Sequence, residues 1–267
     1  MTTTAVMRKE ATLSHGKTRY LEAGTGDPVV LVHGVAVAGG ADDWRPVIDL
    51  LSQKYRVIAP DMLGWPPSDT KENMQAFPNL TDHLREFMDV LGLKKAHVIG
   101  ATMGGWIAGL FAYESPERVD KLVITGNPGF HGAPNDRLAQ VEVPSKERVA
   151  EAIAKVSPML SASEQAAIVD EKVAKMAEPG FFDAFGSMMK TMADHRNRKE
   201  YVLTRRLPHT PVPVLFLIGR GDPSSEVADK LKAMTPGSSL YIIETGAHQV
   251  HYENTEEFCK ATSDFLG

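Results

Sequence analysis

Hydrophobic positions along this chain follow two periods. Around Lys9–Ser14 and Lys17–Glu22 apolar and polar residues alternate, and His15-Gly16 between them supplies a turn, which predicts an antiparallel hairpin. Pro28–Val32 is apolar throughout, the pattern of a strand covered on both faces. Tyr55–Ala59, Lys95–Gly100 and Val119–Thr125 read as further strands. Helical spacing lies between them. Trp44, Val47, Ile48 and Leu51 share one stripe of a helix from Trp44 to Gln53, and a second helix is predicted from about Asn79 to Leu91, ended by Gly92. A third runs from Trp106 to Tyr113, opened by Gly104 and Gly105. Strand and helix alternating at this spacing imply parallel strands joined by crossover helices.

The rhythm stops between Asn127 and about Pro211, where the pattern is helical, strand-poor and broken at Pro144, Pro158 and Pro179. It returns with strand Val214–Ile218, a helix around Glu226–Met234, strand Ser239–Glu244 and a final helix from Glu256 to Leu266. One α/β core domain is therefore expected from residues 1–126 and 212–267. Residues 127–211 are expected as a helical cap over the carboxyl edge of the sheet, where open α/β folds bind ligands. Met159, Met176, Met188, Met189 and Met192 in the cap offer either an adaptable substrate wall or plain packing.

Composition narrows the function classes. The chain has 267 residues, 43% hydrophobic and 24% charged, with a net charge of −5, which argues against a general nucleic-acid binder. No apolar run reaches the roughly 18 residues of a membrane helix, and Met1–Glu10 lacks the layout of a signal peptide. A cytoplasmic protein is expected, with no membrane partner. The single cysteine, Cys259, permits no internal disulfide and reads as a packing residue of the last helix. No spacing suggests a metal site, and no phosphate-cradling glycine loop is present. A homodimer is left open.

The candidate chemistry centres on Gly100-Ala101-Thr102-Met103-Gly104-Gly105, a G-x-nucleophile-x-G junction between a strand and a helix. Such an elbow holds its middle residue in strained backbone geometry above the sheet edge. Serine normally stands there; this chain has Thr102. Asp222 follows strand Val214–Ile218, and His248 follows strand Ser239–Glu244. The chemistry asks for an imidazole beside the hydroxyl and a carboxylate on the other ring nitrogen, to fix the tautomer and stabilise the imidazolium. The order nucleophile, acid, histidine, each after a strand, meets that need on one sheet edge. Gly34, Val35 and Ala36, in the small-residue loop after His33, together with Met103, form the candidate oxyanion site, with the backbone N–H groups of Val35 and Met103 as donors. His33 is expected to tie that loop through its ring nitrogens.

From about residue 10 onward the chain resembles the α/β-hydrolases. Trp44-Arg45-Pro46-Val47-Ile48 and Tyr55–Gly64 are especially similar to the meta-cleavage-product hydrolases, which cut carbon–carbon bonds in dienoate products of aromatic-ring breakdown. Related esterases and acyl-homoserine lactonases share much of the pattern. The resemblance implies an α/β-hydrolase fold: a mostly parallel central sheet with helices on both faces and a helical cap insertion. It also implies Thr102 as nucleophile, Asp222 as acid and His248 as base, no cofactor, and a small-molecule carbonyl substrate. The chain departs from the pattern in two places. Gln249 follows the candidate base where those enzymes carry an aromatic residue. A cap arginine for a substrate carboxylate is represented only by Arg196, Arg198, Arg205 and Arg206, each expected to be solvated.

Three functions fit these residues. Thr102 is a working nucleophile in a hydrolase of a small ester, lactone or ring-fission-type substrate. Alternatively its hydroxyl only positions a substrate, and His248 is the general base of a lyase or a cofactor-free oxygenase. In the third, the pocket binds a ligand with weak or no catalysis. The extra methyl of threonine crowds the attacked carbonyl and stiffens χ1. Among lesser signals, His251 is expected to pack, Trp65-Pro66-Pro67 to stiffen a loop, and Trp106 to pack its helix on the sheet. His195–Lys199 reads as a solvated helix face, and His131 is a weak candidate to face the site.

Overall fold

The computed structural model describes residues 5–35, 39–65, 76–126, 129–130 and 144–267. Eight strands form one sheet: β1 (Met7–Leu13), β2 (Gly16–Ala23), β3 (Pro28–Val32), β4 (Arg56–Pro60), β5 (Ala96–Ala101), β6 (Val119–Thr125), β7 (Val214–Gly219) and β8 (Ser239–Ile243). Their spatial order is β1-β2-β4-β3-β5-β6-β7-β8. The hairpin β1–β2 closes at Leu13 and Gly16 and joins β4 antiparallel; every pairing from β4 to β8 is parallel. The chain winds from β3 outward to β4, then returns to lay β5 on the other side of β3. That reversal opens a crevice between the carboxyl ends of β3 and β5.

Side chains of the parallel strands alternate between two buried layers, which is why these strands read as unbroken apolar runs. Val30, Val98 and Ile124 enter the layer of α2 (Phe77–Val90), α3 (Met103–Glu114) and α8 (Ala228–Met234). Val29, Ile99 and Val123 enter the layer of α1 (Arg45–Leu51) and α10 (Thr255–Leu266). Cys259 packs in that second layer, and burial pushes its thiol up to about 12. His251, in the single turn α9 (Val250–Glu253), is buried with its ring 4.7 Å from that of Trp44.

Boundaries differ from expectation where packing overrides propensity. α2 starts at Phe77 because Pro78 is tolerated in a first turn. Residues Ala41–Trp44 form a 3-10 turn ahead of α1, and Pro223–Val227 another ahead of α8. α3 includes Gly104 and Gly105 as its first turn.

Among the described residues between β6 and β7 lie four α-helices, α4 (Lys146–Val156), α5 (Ala162–Met176), α6 (Phe181–Ala193) and α7 (His195–Glu200). Pro144, Pro158 and Pro179 fall at their junctions. Val149, Ile153, Val169, Met176 and Phe181 form a small core of their own, whereas Met188 and Met192 belong to the main core. Met159 is exposed. Two ionic contacts tie α5 to the loops after β3 and β4: Lys172 pairs with Asp43, and Lys175 lies 4.0 Å from Asp61.

Trp106 is buried in the core layer that α2 and α3 form against the sheet, as expected. Its ring lies 4.4 Å from Phe77 and its indole N–H donates to the Tyr201 carbonyl (2.6 Å), so it joins α3 to α2 and to the segment after α7.

Candidate active site

Thr102 is the one non-glycine residue with positive φ among the described residues (φ 52°, ψ −116°). This conformation is sparsely allowed for a β-branched residue and persists because its surroundings over-determine it. The Thr102 N–H donates to the Thr125 carbonyl (2.9 Å), and its own carbonyl accepts the Trp106 N–H (3.1 Å). A side chain at Gly100 would strike the backbone of Gly104, and one at Gly104 would strike the Val32 carbonyl. The two flanking glycines thus let β5, α3 and β3 approach closely enough to make the turn.

The Trp106 bond is the first i→i−4 link of α3, so the Met103 N–H has no intrahelical acceptor and lies at the positive end of the helix. Gly34 faces the Thr102 side chain from the end of β3, and Val35 follows it. A Cβ on Gly34 would collide with the Thr102 hydroxyl, which sets glycine as the residue that fits there. Both His33 nitrogens hold this loop. Nδ1–H donates to the Gly34 carbonyl (2.8 Å), and Nε2 accepts the Met62 N–H (3.0 Å). Burial lowers the His33 pKa to about 4, in keeping with the neutral ring these two bonds require. Ala36 lies outside the described residues, as do His131 and the Pro66-Pro67 pair. Trp65 is buried between His33 and the phenylalanines of α6.

On the other side of Thr102, His248 Nδ1 is hydrogen-bonded to Asp222 Oδ2. The Ser224 N–H (2.6 Å) and hydroxyl meet Asp222 Oδ1, and that hydroxyl also lies 3.1 Å from the Gly126 carbonyl oxygen. Burial works against the Asp222 carboxylate, but the hydrogen bonds from His248 and Ser224 outweigh it and hold its pKa below the ordinary value. Ser224 was not singled out from the sequence. Asp222-Pro223-Ser224 carries the signal, an aspartate able to accept the N–H two residues on.

The ring of His248 and the side chain of Thr102 meet at Gly126. A Cβ placed there would lie 3.0 Å from the Thr102 methyl and 3.4 Å from His248 Cε1. The methyl therefore faces the β6 side and the histidine, while the hydroxyl faces Gly34 on the β3 side. Thr102 Oγ1 is buried without a hydrogen-bond partner among the described residues.

The arginines divide. Arg196 and Arg205 are exposed as expected, in an open groove beside α7. Arg198 and Arg206 are partly buried, because aromatic faces cover their guanidinium groups: Arg198 stands 5.7 Å over Trp106, and Arg206 5.8 Å over Tyr113 and 5.5 Å over Tyr201. Gln249 is buried.

Residues 27–255 match the family model of the alpha/beta hydrolase fold. The 2-hydroxy-6-oxo-6-(2'-aminophenyl)hexa-2,4-dienoic acid hydrolase of Metapseudomonas resinovorans is 29% identical over 271 residues, covering 94% of this chain and 87% of the relative. The 2-hydroxy-6-oxo-2,4-heptadienoate hydrolase of Pseudomonas putida is 29% identical over 265 residues, covering 94% and 92%. A solved variant of the meta-cleavage product hydrolase of Pseudomonas fluorescens IP01, complexed with acetates, superposes with a TM-score of 0.82 at 27% identity, covering 97% of each chain. The sheet order, the strained elbow at Thr102 and these matches agree: the chain belongs to the α/β-hydrolase fold family and is an enzyme of the α/β-hydrolase type.

Proposed function

We propose that the protein hydrolyses a small carbonyl substrate of the ring-fission dienoate class, with Thr102, His248 and Asp222 as its reactive residues. The observation that carries this reading is the Asp222–His248 pair beside the strained Thr102, at the free N-terminus of α3. Asp222 accepts from Nδ1, which leaves Nε2 of a neutral ring unprotonated and able to take a proton. Thr102, once it turns its hydroxyl toward that nitrogen, gives its proton to Nε2 and attacks the carbonyl. The tetrahedral intermediate then collapses to the acyl-enzyme as the bond to the leaving group breaks, and the dienol carbon or ester oxygen that departs takes the proton from the His248 imidazolium. The Met103 and Val35 N–H groups stabilise the oxyanion, a donor of this kind being worth about 3 kcal/mol of barrier. Water then resolves the acyl-enzyme with His248 again as base. The dienoate hydrolases among the relatives support the substrate class, with simple esters as the closest chemical alternative.

The direction of the hydroxyl favours a second reading of the same site. Facing Gly34, Thr102 Oγ1 is placed to donate to the developing oxyanion, leaving His248 to activate water directly.

Turnover of 2-hydroxy-6-oxo-2,4-heptadienoate and of p-nitrophenyl butyrate by wild type, Thr102→Ala and His248→Ala tests both. Under the covalent reading either substitution abolishes turnover, and an acyl adduct on Thr102 appears in the intact mass. Turnover that survives Thr102→Ala but not His248→Ala selects the second reading. Absence of turnover by the wild type, or a His248→Ala rate within about tenfold of the wild type, refutes the proposal.

A further inference from the structure

Glu253 lies outside the residues given a role so far, yet its carboxylate sits on the loop that carries the candidate base. Residues Glu244–Gln249 join β8 to α9, and Glu253, at the end of that single turn, folds back toward its start. One carboxylate oxygen accepts the N–H of Ala247 (2.9 Å), the residue next to His248. The other accepts the N–H of Met159 (3.3 Å), in the turn between α4 and α5. On its opposite side the loop rests on the end of β7. The Gly221 N–H donates to the Gly246 carbonyl (2.9 Å), and a Cβ on Gly219 would strike the Ala247 carbonyl. The backbone just before His248 is thus held between a glycine floor and one half-buried carboxylate. The α4–α5 segment shares that carboxylate.

We infer that Glu253 is a positioning residue that sets the reach of His248 and couples it to the inserted helices; this rests on the reading of His248 as base. A charged acceptor is the group suited to the task. Backbone N–H donors converge on it, and hydrogen bonds to a carboxylate are about twice as strong as those between neutral groups. Burial pushes the Glu253 carboxyl up, while the N–H groups of Ala247, Met159 and Gln249 oppose that shift. A neutral amide at this position keeps one acceptor oxygen and turns an NH2 toward the other donor. The loop then relaxes, and misplacement of a reacting group by about 1 Å is enough to cost on the order of a hundredfold in rate.

The test compares wild type, Glu253→Gln, His248→Ala and the double variant in the full chain, on whichever of 2-hydroxy-6-oxo-2,4-heptadienoate and p-nitrophenyl butyrate the wild type turns over. Glu253→Gln is expected to lower kcat at least tenfold, to keep KM within about twofold, and to leave the slow background rate of His248→Ala unchanged in the double variant. Residues that act through one another are non-additive in this way, whereas a general loss of structure carries over into both backgrounds. A wild-type kcat in Glu253→Gln, or an equal loss in both backgrounds, overturns the inference. A His248→Ala rate within about tenfold of the wild type overturns instead the reading on which it rests. An NMR titration of the wild type keeps the inference falsifiable should the variant not fold. The Ala247 amide proton must shift in step with the Glu253 carboxyl, and an Ala247 amide indifferent to that titration rejects the contact.

Discussion

Replacing Thr102 by serine should raise turnover, by an amount that follows from how the threonine side chain is seated. Its three Cβ substituents occupy three staggered positions. The hydroxyl faces Gly34, the methyl faces Gly126 and His248, and hydrogen holds the third. Bringing Oγ1 to the histidine takes one 120° step in χ1. That step carries the methyl into the position hydrogen now holds, where it meets new packed or substrate atoms. A β-branched residue resists such a step, and moving a methyl against packed or substrate atoms costs about 1–2 kcal/mol. Serine makes the same rotation with no methyl to place. At 1.36 kcal/mol per factor of ten, Thr102→Ser should gain about 5- to 30-fold in kcat. Relief of strain at the positive-φ position should add a small rise in melting temperature. Steady-state kinetics on the dienoate and on p-nitrophenyl butyrate, with intact-mass detection of the acyl adduct, measure both effects. An unchanged kcat in Thr102→Ser together with activity in Thr102→Ala would show that the hydroxyl never attacks, and the rotamer argument would fall.

Three further outcomes follow from buried charge. Asp222→Asn should lower kcat by about a thousandfold or more, since an amide no longer fixes the His248 tautomer. Because the folded Asp222 pKa is depressed, its stabilising share is present above the ordinary carboxylate range and lost as pH falls through the folded value, so the melting temperatures of wild type and Asp222→Asn should converge in acid. His33 and His251, with pKa values lowered to about 4, and His83, lowered to about 3, are neutral in the fold, and burial is the main cause in each. The unfolded chain takes up protons at these sites below about pH 6.5, so stability should fall as pH drops from 6.5 to 5, by roughly 2 kcal/mol per histidine; a flat urea midpoint over that window would contradict this burial. Lys172→Met leaves the Asp43 carboxylate buried without its ammonium partner and should cost about 3–5 kcal/mol in denaturant unfolding, while Lys172→Met with Asp43→Leu should cost much less.

Much of the fold was readable because its strands are buried on both faces: Val29–Val32 and Leu122–Ile124 alternate between two apolar layers, and no polar residue interrupts them. The elbow was readable for a related reason. Gly100 and Gly104 stand where any side chain would strike backbone, so close approach is written into the residue types. Asp222 and His248 were legible from chain order alone, since each follows a strand of one parallel sheet. The contacts of Ser224 and Glu253 were not, although Asp222-Pro223-Ser224 carried a turn signal. Glu253 carried none, because its contacts run to backbone N–H groups, and backbone donors look alike in every sequence. The direction of the Thr102 hydroxyl was hidden more deeply. β5 lies between β3 and β6, so one side of residue 102 faces Gly34 and the other faces the histidine. A sequence names the two groups on Cβ but not which neighbour each of them meets. In a serine that ambiguity is harmless, since the single hydroxyl can visit both sides. In this chain the second group is a methyl, so on the proposed chemistry one rotamer decides whether residue 102 attacks a carbonyl or only holds its oxygen.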